Sequence, residues 1–156
     1  MEIRVIDFEI LTRHYKVYRD GVDIINTEKE EFLKSIEPIR KEMNTIIASV
    51  SSGLIIDQKT QQQKGEEFQK LQSELMEMDN QFKHKMQNMR DDLNLKSYEG
   101  LSEIVTNWAK DSSIDLVSGK MEVVYSNPKY ESTDEILEIL KQQNLFVEFE
   151  EKEKED

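Results

Sequence analysis

"IDLVSGKMEVVYSNPKYESTDEILEIL", residues 114–140, determines the fold class of this chain, because strand and helix signals follow one another there after a long polar region. Residues 114–117 and 122–125 are rich in β-branched and apolar side chains and flank a Ser-Gly-Lys turn, so they predict a β-hairpin. Thr133, followed by Glu135, predicts the start of a last short helix with one apolar face.

The region before this stretch predicts two long helices. Its apolar residues follow one another at alternating intervals of three and four, and this spacing holds one stripe of each helix against a partner helix. The alternation is broken once, because Met86 follows Phe82 by four residues where three are expected. The first seam is Phe32, Ile36, Ile39, Met43, Ile46 and Val50, and the second is Phe68, Leu71, Leu75, Met78, Phe82, Met86, Met89 and Leu93. Residues 51–57 interrupt the pattern, so the two helices form an antiparallel hairpin.

The amino-terminal residues predict a strand and a short helix. Residues 2–6 alternate, and the apolar spacing from Phe8 to about Arg19 is helical. Gly21 is expected to end this helix, since glycine accepts the left-handed conformation found at helix ends. Thr27 begins a capping-box pattern that predicts the start of the next helix.

These elements predict an α+β fold, mainly α, in which a long antiparallel helical-hairpin arm projects from a small β body. The body comprises residues 1–23 and 98–141, and the arm comprises residues 24–97 with its tip near 51–57. Residues 142–156 are expected to form an acidic, disordered tail. Three short strands leave open edges, so we expect the body to close by assembly of several chains.

The composition and charge exclude several classes of function. The 156 residues are 37% hydrophobic and 35% charged, and the net charge is −12. Residues 131–156 hold ten acidic and three basic side chains, so more than half of that charge lies near the carboxy terminus. A chain without a basic stripe does not predict nucleic-acid binding, and no apolar run is long enough to predict membrane insertion.

Residues with catalytic or metal-binding chemistry form no recognisable motif. The chain has no cysteine, and His14 and His84 lack a second ligand at metal spacing. There is no Gly-x-x-x-x-Gly-Lys loop for nucleotide binding. We therefore expect no catalytic residues, no metal and no cofactor. The first eleven residues also lack the basic segment, apolar run and cleavage site of a secretory signal.

The chain resembles the Skp/OmpH chaperones. The carboxy-terminal stretch is similar to that family's signature of an Asp-Leu-Val strand, a Val-x-Tyr strand and a Thr-capped helix. The matching positions are Asp115, Leu116, Val117, Val123, Tyr125 and Thr133. "IRVIDFEIL" resembles the family's first strand and helix, and the resemblance covers about residues 2–141.

This resemblance implies a jellyfish-like homotrimer in which strands from three chains build the body and three arms enclose a cavity. It implies an ATP-independent holdase that keeps unfolded outer-membrane proteins in this cavity, in the periplasm. Because the first eleven residues do not resemble a secretory signal, either a signal was removed or the chain is not exported by that route, and a cytoplasmic or virus-encoded assembly chaperone with a dedicated client is an alternative. A scaffolding coiled-coil protein is a second alternative. A prefoldin-like chaperone is less favoured, because prefoldin strands lie between the two long helices.

The residues themselves suggest candidates for particular roles. Candidate client contacts are Leu54, Ile55 and Ile56 at the tip and Met76 and Met86 on the arm. The methionines could equally fill the arm core, and one or two tip residues could fold back to cap the hairpin. The candidate oligomerisation residues are Ile3, Val5, Leu116, Val117, Val123 and Tyr125. Pro38, Gly65 and Gly100 are expected to act as hinges.

Overall fold

The computed structural model describes residues 1–55 and 57–149, and these form an α+β fold that is mainly α. The strands are β1 (Ile3–Ile6) and β2 (Leu116–Gly119), and the helices are α1 (Phe8–His14), α2 (Lys16–Ser51), α3 (Gln58–Asp111) and α4 (Thr133–Gln142). Short 3-10 helices span Lys120–Glu122 and Pro128–Tyr130. The chain divides into a hairpin unit, Ile24–Arg90, and a terminal unit, Met1–Asp23 together with the described residues from Asp91 onwards.

The hairpin unit is an antiparallel pair of helical segments from α2 and α3. Ile36, Ile46 and Met86 are buried between the segments. The rings of Phe32 and Phe82 stack with centroids 4.0 Å apart and planes 2° from parallel. The predicted seams are therefore confirmed along most of their length, although Val50 is exposed at the end of the first one.

The terminal unit contains a two-stranded parallel sheet. Ile3 of β1 lies opposite Leu116 of β2, and Ile6 lies opposite Gly119. Parallel strands need a long connection, and here α1, α2 and α3 all lie between the two strands in the sequence. The pairing thus depends on residues more than a hundred positions apart, which a local sequence pattern does not reveal.

The predicted hairpin of residues 114–117 and 122–125 is wrong. Gly119 belongs to β2, the chain then turns through the 3-10 helix Lys120–Glu122, and residues 123–125 form no strand. The physical reason is that residues 120–122 turn through a 3-10 helix, in which the Val123 N–H donates to the Lys120 carbonyl, so the chain does not fold back along β2.

The core of the terminal unit brings together both ends of the chain. Its buried members are Ile6, Leu11, Tyr15, Leu101, Val105, Trp108, Ile136 and Leu140. Asp7 caps α1, since its carboxylate accepts hydrogen bonds from the backbone N–H groups of Glu9 and Ile10 at 3.1 and 3.2 Å. The backbone N–H of Asp7 donates to Oγ1 of Thr133 at 2.9 Å, so the start of α1 is tied to the start of α4.

The helix boundaries near the amino terminus differ from those predicted. α1 ends at His14, and α2 runs without interruption from Lys16 through Gly21 and Thr27. A Cβ atom at Gly21 would overlap the side chain of Leu93 on α3. Gly21 therefore permits close helix packing and does not end a helix, and tertiary packing overrides the local cap signal at Thr27.

The segment after α4 is not a solvated tail along its whole length. Leu145 and Phe146 pack against the core of the terminal unit. The predicted tail had begun at residue 142, because the high acidic content of residues 142–156 outweighed the apolar residues among them. Residues 150–156, which hold most of the acidic groups of that segment, lie outside the described residues.

Candidate functional site

The connection at the tip of the hairpin unit is held by specific polar contacts. The Asp57 carboxylate accepts hydrogen bonds from the backbone N–H groups of Lys59 and Thr60, which caps the start of α3. The Thr60 hydroxyl also donates to Asp57 Oδ2 at 2.8 Å. Gln61 Nε2 donates to the carbonyl oxygen of Ile55 at 2.9 Å. Polar side chains of residues 57–61 thus hold the start of α3 and the carbonyl group of Ile55.

The same contacts change the acidity of Asp57. The hydroxyl of Thr60, followed by the backbone N–H groups of Thr60 and Lys59, lowers the pKa of the Asp57 carboxyl below its ordinary value of 3.8. The cap therefore remains ionised at neutral pH, where it stabilises the first turn of α3.

Apolar side chains are exposed near these polar contacts. We define the tip surface as Ile47, Val50, Leu54 and Ile55. Leu54 is 82% exposed, Ile47 and Val50 are exposed, and Ile55 is half-buried. Ile56, the third predicted tip contact, lies outside the described residues. Leu54 therefore does not fold back onto the hairpin, whereas the half-buried Ile55 is compatible with the alternative in which one or two tip residues cap it.

The two predicted arm methionines lie in different environments. Met76 is 62% exposed on α3, and its thioether is accessible. Met86 is only 2% exposed and packs inside the hairpin unit, because the seam turns it toward α2. In this conformation a client has no access to most of the Met86 side chain.

A groove of about 370 Å³ lies on the hairpin unit beside the stacked Phe32 and Phe82 rings. Leu33 lines it and is exposed, and Met86 and Ile36 contribute to its floor. Its charged margin consists of Lys29, Arg40, Asp79, Lys83 and Arg90. Lys83 Nζ pairs with Asp79 Oδ2 at 2.9 Å. The groove is therefore apolar at its base and mainly cationic at its margin, a feature that the seam analysis missed because Leu33 lies outside the seam.

The terminal unit exposes a second apolar surface. We define the apolar ledge as Leu116, Met121, Val124 and Tyr125. Met121 is 89% exposed, Tyr125 is 78% exposed, and Val124 is fully exposed. Leu116 and Tyr125 were predicted to act in oligomerisation but Met121 and Val124 were not, because the sequence pattern places residues 122–125 in a paired strand.

The other predicted oligomerisation residues are less accessible. Val5 is buried within its own chain. Ile3, Val117 and Val123 are half-buried. In the described sheet β2 pairs only with β1, so its outer edge is open next to the ledge.

The three predicted hinge positions also differ from one another. Pro38 is exposed and lies inside α2, which continues past it. A Cβ atom at Gly65 would meet no heavy atom within 4 Å. A Cβ atom at Gly100 would overlap the hydroxyl of the buried Tyr15, so Gly100 permits a close contact in the terminal unit.

The described residues contain neither a cluster of metal ligands nor a helix that could span a membrane. No group of three or more histidine, cysteine, aspartate or glutamate side chains is arranged to hold a metal ion there. No helix in residues 1–55 and 57–149 has the length and apolar character needed to cross a lipid bilayer.

Comparison with known proteins identifies a family. The family model described as "Outer membrane protein (OmpH-like)" matches residues 2–140. No curated protein matches this sequence. The family match includes β1, all of α1, α2 and α3, and β2, and it stops within α4.

Proposed function

The chain belongs to the OmpH-like outer membrane protein family, and on that premise we propose that it is an ATP-independent holdase for unfolded outer-membrane proteins. The family is one of periplasmic chaperones, and we infer that this chain acts in the periplasm. Members of such a family bind a client without chemically changing it, so the proposal requires accessible apolar surface and no catalytic residues.

The tip surface is the observation that carries this proposal. Its side chains are apolar and accessible, yet the adjoining backbone is held by the Asp57 cap and the Gln61 hydrogen bond. Full burial of one leucine or isoleucine side chain contributes about 1.5–3 kcal/mol. A client that buries each tip side chain only partly gains less than this from each contact, so several such contacts hold an unfolded chain and still allow it to leave.

The groove supports the same function by different chemistry. Its apolar base, with Leu33 exposed, suits aliphatic and aromatic side chains of an unfolded client. Lys29, Arg40 and Arg90 at the margin favour acidic residues that flank those side chains in the client sequence. Met76 adds a flexible thioether that can pack against varied partners.

We infer that the chain assembles as a homotrimer through the terminal unit. The resemblance to the Skp/OmpH chaperones implies three copies. The exposed side chains of the ledge and the open edge of β2 support this proposal, since both features are costly to leave in water. Three arms would then offer a client many weak contacts at once.

Suppression of client aggregation tests the holdase proposal. A urea-unfolded outer-membrane barrel protein is diluted into buffer with increasing amounts of the full chain, and light scattering is followed. We expect the wild-type chain to suppress aggregation at stoichiometric amounts. We expect Leu54→Ser/Ile55→Ser to weaken client binding about tenfold, because two apolar contacts are removed.

Leu95→Ser is the matched control, since Leu95 is an exposed leucine of the terminal unit that lies outside the tip surface. This variant should hold the client as the wild-type chain does. Equal holding by the tip variant would reject the tip surface as a client site. Failure of the wild-type chain to suppress aggregation would instead favour the scaffolding alternative.

A further inference from the structure

The residues that follow α4 form a short strap over the break between α1 and α2. We define the strap as residues 145–149. Asn144 has a φ of 59°, which turns the chain, and the Leu145 N–H donates to the Leu140 carbonyl at 2.8 Å. The strap lies beyond the family match, which ends at residue 140, so its role is not explained by the family assignment.

The helix break presents backbone groups that need partners. Tyr15 has an extended conformation, with φ −76° and ψ 117°, and it separates His14 of α1 from Lys16 of α2. The strap supplies the partners. The Lys16 N–H donates to the Leu145 carbonyl at 2.7 Å, and the Val147 N–H donates to the His14 carbonyl at 2.9 Å. Tyr15 and Phe146 thereby form an antiparallel β-bridge.

These contacts are the kind by which a protein binds an extended peptide. Backbone hydrogen bonds of this type fix the direction and register of the peptide but not its sequence. His14 adds one more, because its Nδ1 lies 2.9 Å from the Val147 carbonyl. That oxygen can only accept, so Nδ1 carries the proton in this contact.

The strap side chains add selectivity for aromatic residues. Phe146 stacks on the His14 ring with centroids 5.0 Å apart, and Lys141 Nζ lies 4.8 Å from the centroid of the same Phe146 ring. Phe149 lies beneath Arg19, whose Cζ is 4.9 Å from the ring centroid. Cations above aromatic faces contribute about 0.5–1 kcal/mol at exposed sites.

The charge of the strap fits the same site. Glu148 lies between Phe146 and Phe149 and is exposed, and Phe149 is followed in the sequence by Glu150 and Glu151. Arg13, Arg19 and Lys141 are the cations that contact the strap rings. The site therefore offers backbone groups that pair with an extended segment, contacts for two aromatic side chains three residues apart in that segment, and a positively charged margin.

We propose that the α1–α2 break is a peptide-docking site, and that the strap is its resident ligand. The site takes an extended segment of an unfolded protein with aromatic residues three positions apart and acidic residues beside them. The strap competes with such a segment at the high local concentration of a tethered ligand. Release of the strap is therefore the step that opens the site to another chain.

A labelled peptide tests this proposal in the full chain. The probe is fluorescein-labelled Asn-Leu-Phe-Val-Glu-Phe-Glu, the sequence of residues 144–150, and the readout is fluorescence anisotropy. In the opened variant, Phe146→Ala/Val147→Pro/Phe149→Ala, the strap loses both rings and the N–H that donates to His14. We expect the probe to bind this variant at least about tenfold more tightly than the wild-type chain.

Two further variants in the opened background test the chemistry of the site. Arg19→Ala/Lys141→Ala should weaken binding of the probe, since it removes two of the cations that face the rings. Lys129→Ala is the matched control, because Lys129 lies over Tyr130 in the same unit and does not contact the strap. It should leave probe binding unchanged. A probe with both phenylalanines replaced by alanine should not bind.

Three results would overturn the proposal. The first is an opened variant that keeps its helical circular dichroism and still binds the probe no better than the wild-type chain. The second is equal loss of binding in the Lys129→Ala control. The third is an opened variant that no longer folds, which would make the strap an obligatory part of the terminal unit. Because the probe is a short peptide, failure of the holdase assay would not affect this outcome.

Discussion

At two glycines of this chain, the missing side chain makes room for a neighbouring residue. Gly21 allows the Leu93 side chain to approach α2, and Gly100 allows the Tyr15 hydroxyl to approach α3. Burial and the nearby charge of Glu103 raise the pKa of Tyr15, which is consistent with a ring held against the helix away from bulk water. A methyl group at either glycine would have to displace a packed side chain.

Replacement of Gly100 by alanine should destabilise the protein. The added Cβ would meet the buried Tyr15 ring, and overpacking of this kind costs about 1–3 kcal/mol. The thermal unfolding midpoint measured by circular dichroism should fall. Gly65→Ala is the matched control, because Gly65 lies in the same helix with open space around it. That variant should be more stable by up to about 1 kcal/mol, because alanine favours helix. Equal stabilisation by both variants would contradict the packing role of Gly100.

Capping side chains determine where a helix begins, but a local capping pattern in the sequence does not always mark a helix start. The Asp57 cap at the start of α3 combines a carboxylate with N–H groups two and three residues later, as helix capping requires. The Thr27 pattern looks equally suitable in the sequence, yet α2 passes through it. A cap signal is decisive only where no packed helix continues across it.

The Asp57 cap should make the tip sensitive to acid. The folded-state pKa of Asp57 lies below its ordinary value of 3.8. The cap therefore stabilises the folded state fully at pH values above the ordinary pKa, which the unfolded chain has. This contribution is lost as the pH falls through the lowered folded-state pKa. The Thr60 hydroxyl is the largest cause of the lowered pKa, and Thr60→Val removes it. This variant should therefore raise the Asp57 pKa toward 3.8 in an NMR titration of the carboxyl carbon.

Thr45→Val is a suitable control for this titration. The Thr45 hydroxyl donates to the Lys41 carbonyl and touches no carboxylate. The Asp57 pKa should therefore be the same in this variant as in the wild-type chain. An unchanged Asp57 pKa in Thr60→Val would show that the hydroxyl does not hold the cap.

In the molecule as a whole, nothing in the described chain covers the apolar ledge. Met121, Val124 and Tyr125 are exposed in the single chain, and the edge of β2 beside them has no partner among the described strands. A monomer would leave these groups in water. Assembly through the terminal unit would bury them and would complete the short sheet.

Polar substitution of the ledge should separate the chains. In size-exclusion chromatography with light scattering, we expect the wild-type protein to have the mass of three chains. Met121→Ser/Val124→Ser/Tyr125→Ser should shift it to the mass of one chain, since the apolar contact area is lost. Leu33→Ser, which alters an exposed leucine of the hairpin unit, should keep the larger mass. A wild-type chain with the mass of a monomer would refute assembly through the ledge.

The periodic spacing of apolar residues was sufficient to predict the helical hairpin. The intervals of three and four place Phe32, Ile36 and Phe82 on facing stripes, and the structure packs them together. This information is local, because each helix repeats its own geometry every few residues. The α+β class and the resemblance to the Skp/OmpH chaperones were therefore available from the residues alone.

Contacts between distant parts of the chain could not be obtained in this way. The parallel pairing of Ile3 with Leu116, the close approach of Tyr15 to Gly100 and the strap across the α1–α2 break all join residues far apart in sequence. No local period encodes such contacts, because they form only when separate elements compete for the same partner. In the folded chain β2 pairs with β1, and the side chains of the ledge remain exposed. Phe146, which the sequence pattern places in a solvated tail, packs against the core.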